Sequence, residues 1–164
     1  MDGIPEDRTL LIVDDNPENV RVLGSILRQQ GYQVAVANSG DEALQRLPWV
    51  KPDLILLDIM MPDFDGFETC RRLKAWKQTQ HIPIIFVSAL DDTEKIVRGF
   101  QQGAVDYVTK PFVKEILLAR VKTHLQLAQA REYLGLMNEE LRRDLERQRT
   151  LGEQDPLTGL ANRR

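Results

Sequence analysis

A five-stranded parallel α/β sheet with doubly wound (βα)5 connectivity and an extended C-terminal helix is predicted by three features of the sequence. Short apolar runs recur at residues 9–13, 34–37, 54–57, 84–87 and 105–108, and segments with helical spacing separate them. The runs at 54–57 and 84–87 show no polar alternation, as expected of strands buried on both faces. Acidic, hydroxyl or lysine residues follow several of the runs, at the sheet edge where parallel sheets carry their sites. The intervening lengths suit right-handed crossovers, which cover both faces of the sheet with helices.

Each element has its own local signals. The first run leads into Asp14-Asp15-Asn16-Pro17, where Asn16 is suited to cap a helix and Pro17 to occupy its first position. Val20, Leu23, Ile26 and Leu27 give that helix one apolar face, and Gly31 stops it. Asn38-Ser39-Gly40 is a turn, and Ala43, Leu44 and Leu47 form the inner face of a short second helix. Pro48 and Pro52 are expected to bracket the loop into the third strand, which ends on Asp58. Past Asp63-Phe64-Asp65-Gly66 a third helix is expected over 67–76. The fourth strand ends in Ser88, and Asp91-Asp92-Thr93 supplies caps for a fourth helix finishing near Gly103. The fifth strand closes on Thr109-Lys110-Pro111, and from Val113 a helical pattern runs to about Leu151, with Gly135 inside it.

Composition narrows the class. At 164 residues the chain has room for one ordinary domain and an appendage, and a hydrophobic fraction of 42% can fill a core. A net charge of −3 argues against nucleic acid as the main partner. Cys70 is the single cysteine, which excludes an internal disulfide, and Met1 to Asp7 lacks the layout of a signal peptide. No apolar run approaches the roughly 20 residues that cross a bilayer. A cytoplasmic protein without a membrane partner is expected.

If the first and third strands are neighbours, Asp14, Asp15 and Asp58 converge. Three carboxylates in a partly dry cleft must either raise their pKa values or gather cations. Lys110 is one candidate cation and a divalent metal is the other. Hard oxygen donors, with no histidine or second cysteine nearby, favour Mg2+ over zinc. With Asp58 as nucleophile, Lys110 and the metal facing the equatorial oxygens, and Ser88 donating to the transferred group, the set meets the needs of phosphoryl transfer to a carboxylate. Singly, each residue has an ordinary role: the aspartates as helix caps, Lys110 as a surface lysine, Ser88 as a loop hydroxyl, Tyr107 as a packed strand residue. Their occurrence together at strand ends favours the functional reading.

From about Thr9 to about Leu125 the chain resembles the receiver domain of bacterial two-component response regulators, a flavodoxin/CheY-like fold. The matching residues are Ile12-Val13-Asp14-Asp15, Leu57-Asp58-Ile59-Met60-Met61-Pro62 with Gly66, Val87-Ser88-Ala89 and Lys110-Pro111-Phe112. The resemblance implies that Asp58 accepts a phosphoryl group from a sensor histidine kinase. It implies that Asp15 and Asp58 bind Mg2+ directly, that Asp14 orients metal-bound water and that the backbone carbonyl of Met60 is a further metal ligand. It also implies that Ser88 turns to the phosphoryl group, that Tyr107 is a switch aromatic rotating inward, and that Lys110-Pro111 is a cis peptide. Met60 and Leu90, each two residues beyond a key position, are expected to shield the phosphoryl group from water.

Leu127, Leu134 and Leu141 fall seven apart, with Leu145 four beyond, inside a charged segment. This spacing predicts a short parallel coiled coil with Asn138 in its core, and hence a homodimer through the C-terminal helix. Gly135 costs the helix roughly 1 kcal/mol. The plainer readings are a single exposed amphipathic helix or a linker partly disordered in isolation, but a sevenfold repeat is unnecessary for a helix packed on its own domain and favours the parallel dimer. The stretch Asp155-Pro156-Leu157-Thr158-Gly159-Leu160-Ala161-Asn162-Arg163-Arg164 resembles the opening of a GGDEF-type diguanylate cyclase domain. The expected division is therefore a receiver over 1–125, a helical coiled-coil linker over 126–152 and the truncated start of a GGDEF domain over 153–164. By that resemblance the fragment is not an enzyme, and its parent is a diguanylate cyclase of cyclic di-GMP signalling. The alternatives are a receiver whose C-terminal helix is mainly a protein-interaction module, and a Mg2+-dependent aspartyl phosphatase. The phosphatase would need a second carboxylate where Met60 stands. A flavin binder of the same topology is disfavoured because Asp14-Asp15-Asn16-Pro17 repels an anion.

Overall fold

Five short strands carry the architecture: β1 (Thr9–Val13), β2 (Gln33–Ala37), β3 (Leu54–Asp58), β4 (Ile84–Ser88) and β5 (Asp106–Thr109). The computed structural model describes residues 3, 7–63, 65–89 and 93–154. The strands pair in parallel in the order β2-β1-β3-β4-β5, with Val13 opposite Leu57, Asp58 opposite Val87 and Ser88 opposite Thr109. Because β1 and β3 are adjacent, the residues that follow them leave the sheet side by side. The connecting helices are α1 (Pro17–Gln29), α2 (Gly40–Val50), α3 (Gly66–Ala75) and α4 (Thr93–Gln101), and α5 (Lys114–Gln154) follows β5.

Strand side chains alternate between two buried layers, which is why the apolar runs lack polar alternation. Leu11, Val13, Ile55, Leu57, Ile84 and Phe86 pack with Ala43 and Leu47 of α2 and with Phe67, Cys70 and Leu73 of α3. Leu10, Ile12, Leu54, Leu56, Ile85 and Val87 face the other way, onto Leu23 and Leu27 of α1 and Leu117, Val121 and Leu125 of α5. α4 approaches the first layer closely. A Cβ on Gly99 would lie 2.9 Å from the Phe86 ring, so a glycine is required where the helix crosses β4.

Among the described residues the signals for the start and end of α1 hold, and one expected loop boundary does not. Asn16 accepts from the Glu18 and Asn19 amides, Pro17 opens α1, and Gly31 takes a left-handed φ of 96° beyond its end. Ser39 caps α2 and Asp65 caps α3. Pro48 does not bound a loop as expected. It lies inside α2, which continues to Val50 and ends on Lys51 in the left-handed region. The proline removes one amide bond in the last turns, and the Lys51 amide donating to the Leu47 carbonyl at 3.0 Å still closes the helix. The helix cap expected from Asp91 and Asp92 lies outside the described residues.

The chain divides into two compact units, residues 1–128 and 129–164. The described part of the second unit is helical throughout, and α5 runs through Gly135 without a break. Within it Leu134, Leu141 and Leu145 are all more than half exposed, and Arg143 pairs with Glu139 and Arg147 with Asp144 along the helix surface. No helix among the described residues is long and apolar enough to cross a membrane.

Candidate functional site

Three carboxylates meet at the carboxyl edge of the sheet. Oxygens of Asp14, Asp15 and Asp58 all lie within 4.8 Å of one another, with Asp14 and Asp58 buried and Asp15 exposed. The Asp14 carboxylate is oriented by its own loop and helix: Oδ1 accepts from the Asn16 amide at 2.9 Å, and Oδ2 from the Asn19 side chain at 3.3 Å. Asp58 Oδ1 accepts from the Met60 amide at 3.3 Å. Lys110 completes the cluster from the end of β5. Its Nζ stands 3.5 Å from Asp58 Oδ1 and 3.6 Å from Asp14 Oδ2, and the Lys110-Pro111 peptide is cis. The Lys110 amide donates to the Ser88 carbonyl at 2.8 Å, joining the lysine's backbone to the end of β4.

One ammonium faces three carboxylates, so negative charge is in excess. Burial, and then the Asp14 charge, push the Asp58 carboxyl up to about 6, against the opposing pull of Lys110 and the Met60 amide. A compact set of hard oxygen donors with surplus negative charge and one member open to solvent fits a small divalent cation that keeps part of its water shell.

Gly66 fixes the loop on the far side. Its amide donates to the Ile59 carbonyl at 2.8 Å, and a Cβ at this position would fall on the Asp58 carbonyl oxygen. Gly66→Ala is therefore expected to displace the end of β3 and to cost about 1–3 kcal/mol, read as a lower urea midpoint. An unchanged midpoint would show that the loop relaxes freely. Asp63 ties the same loop to α2, its Oδ2 accepting from the Asp41 amide at 3.0 Å.

Ser88 is buried at the end of β4, and Tyr107 is half-buried on β5. Both line one recess, together with Ile59, Phe86, Ile96 and Ala104. The expected residues thus fall into a carboxylate–lysine cluster, with Ser88 and Tyr107 around a neighbouring hollow. Met60 contributes its amide to Asp58, and the residue is 63% exposed. Leu90, the other expected shield, lies outside the described residues. Sequence reasoning missed Asn19, whose position one turn into α1 from Asn16 was the available signal. It named Gly66 as part of a motif without the close approach that requires it.

The sheet order and the strand-end acid cluster define a doubly wound parallel α/β domain with a carboxylate–lysine cluster at the carboxyl edge of its sheet. Residues 10–122 match the response regulator receiver domain family. The chain belongs to this family, the receivers of two-component response regulators, which are phosphorylated on an aspartate. It is 41% identical over 133 residues to a Vibrio cholerae serotype O1 protein named "Probable cyclic di-GMP phosphodiesterase", covering 81% of this chain and 30% of that one. It is 43% identical over 114 residues to Response regulator PleD of Caulobacter vibrioides, covering 70% of this chain and 25% of PleD. The chain thus spans less than a third of either relative. Among solved structures, the beryllofluoride-activated N-terminal receiver domain of Klebsiella pneumoniae RstA superposes with a TM-score of 0.67 at 34% identity, covering 72% of this chain and 98% of that one.

Proposed function

We propose that Asp58 is the phosphoacceptor of this receiver, that a sensor histidine kinase is the donor, and that the signal passes through a dimerising α5 to a diguanylate cyclase. The observation that carries the reading is the placement of Asp58 beside Asp14 and Asp15 with the Lys110 ammonium 3.5 Å away. In the transfer, an Asp58 carboxylate oxygen forms a bond to phosphorus as the bond from phosphorus to the donor's imidazole nitrogen breaks. The electron pair leaves with the imidazole. Lys110 faces the equatorial oxygens, whose charge it offsets without having to move far. Asp14, Asp15, Asp58 and the Met60 carbonyl would hold Mg2+, which would supply positive charge to offset that of the phosphoryl oxygens. The Ser88 hydroxyl donates to the acyl phosphate, and Tyr107 follows it into the recess.

The output rests on two independent supports. The stretch from Asp155 to Arg164, outside the described residues, resembles the start of a GGDEF domain. The Vibrio relative carries cyclic di-GMP in its name, and its match extends beyond the receiver itself. That relative favours a second reading, a phosphodiesterase output, which cyclic di-GMP synthesis from GTP by the full-length gene product would exclude.

For the relay, Leu134, Leu141 and Leu145 present exposed apolar surface at coiled-coil spacing, around Asn138. Sedimentation of this chain with Mg2+ and beryllofluoride is expected to give a dimer, and Leu134→Ser with Leu141→Ser a monomer. A wild-type monomer with and without the mimic at high concentration would contradict the relay.

A further inference from the structure

Arg120, in the first part of α5, makes three contacts with the start of β5. It donates through Nη1 to the Tyr107 carbonyl and, at 3.1 Å, to Asp106 Oδ1. Its guanidinium carbon lies 5.2 Å from the centre of the Tyr107 ring. The anchor is itself held, because His124 Nε2 lies 2.9 Å from Asp106 Oδ2. Phe100 of α4 meets the same ring edge-on at 6.3 Å. The Tyr107 ring is thus gripped from two helices, and it lines one recess with Ser88 that is walled mainly by apolar side chains.

We propose that Arg120 is a positioning residue for the phosphorylation switch, holding the Tyr107 ring against α4 and α5 until Ser88 is drawn to the phosphoryl group. The proposal rests on the reading of Tyr107 as the switch aromatic. A side chain biases a two-state equilibrium only through contacts that differ between the states. Arg120 has such a contact: the ring face is available to its guanidinium in the present position and is lost when the ring moves into the recess. The backbone bond to Tyr107 and the pair with Asp106 do not depend on where the ring is, so they set where Arg120 stands while the ring contact carries the bias. With its side chain 34% exposed, the guanidinium is partly desolvated, which strengthens attraction to a ring over its value in open water.

The test is beryllofluoride affinity at saturating Mg2+, by calorimetry, alongside the thermal midpoint and the NMR signal of the Tyr107 ring. Arg120→Gln retains a donor for the carbonyl but has no charge for the ring. It is expected to tighten beryllofluoride binding by about two- to thirty-fold, the range that one partly desolvated cation–ring contact spans, even as the lost pair with Asp106 lowers the midpoint. Arg120→Lys restores a charge and is expected to return affinity toward wild type. A residue with only a structural role would lower the midpoint without tightening binding, and that outcome overturns the proposal. The wild-type ring signal separates the two layers of the argument. If beryllofluoride leaves it unmoved, the switch reading fails and the latch fails with it. If the signal moves while Arg120→Gln binds no more tightly than wild type, the latch alone is refuted.

Discussion

Asp58→Asn is expected to make the metal-free protein more stable at neutral pH by about 1–3 kcal/mol, while abolishing acceptance of phosphate. The reason is the environment of the carboxyl. Its pKa rises from 3.8 to about 6, first through burial and then through the Asp14 charge. Between those values the folded chain binds more protons than the unfolded one, so stability falls as pH rises through this window, and the full penalty applies above it. At about 1.36 kcal/mol per pH unit the interval corresponds to about 3 kcal/mol. Asparagine keeps the shape without the charge, but it also forgoes attraction to Lys110, which reduces the gain. Urea denaturation in chelator at pH 4 and pH 7 checks this: the wild type should lose stability relative to Asp58→Asn between the two. Mg2+ should restore the wild type selectively, since a ligand stabilises the folded state it binds. Equal pH profiles would show that Asp58 is not held at an electrostatic disadvantage.

Lys110→Ala is expected to slow phosphorylation by acetyl phosphate by about 10²–10³-fold, the range seen when a preorganised charge or donor is removed from a transition state. The ammonium stands 3.5 Å and 3.6 Å from two carboxylates and is 20% exposed. Without it, Asp14 and Asp58 face each other uncompensated, and the Asp58 carboxyl rises further because Lys110 is among the groups that lower it. The protein should also lose about 1–3 kcal/mol, less than the 3–5 kcal/mol typical of a fully buried broken pair because water reaches this lysine. Combining Lys110→Ala with Asp58→Asn should shrink that loss, as one of the two repelling charges is gone. A single variant phosphorylated at the wild-type rate would remove Lys110 from the mechanism.

The strands were legible because their apolar runs are buried on both faces, and the strand-end position of Asp58 followed directly. Convergence of Asp14 with Asp58 was conditional on β1 lying next to β3, a fact of topology that the register of Val13 with Leu57 supplies. Pro48 was misread because a proline marks a helix boundary only on average, and here the helix is already close to its C-cap. Asn19, Gly66 and Arg120 escaped for a different reason. Their roles come from tertiary approach: a side-chain amide reaching Asp14, a Cα against the Asp58 carbonyl, a guanidinium over a ring on another element. None of these has a spacing rule. The long α5 was legible from its composition, and its single glycine at 135 does not interrupt it.

The central claim is that Asp58 is the group that takes the phosphoryl moiety. Incubation with acetyl phosphate, followed by intact mass and peptide mapping, tests it most directly. The account predicts a gain of one phosphoryl group in the presence of Mg2+ and none in chelator, located on the peptide containing Asp58 and absent from Asp58→Asn. Labelling that persists in Asp58→Asn at the wild-type level, or that maps to another residue, would contradict it.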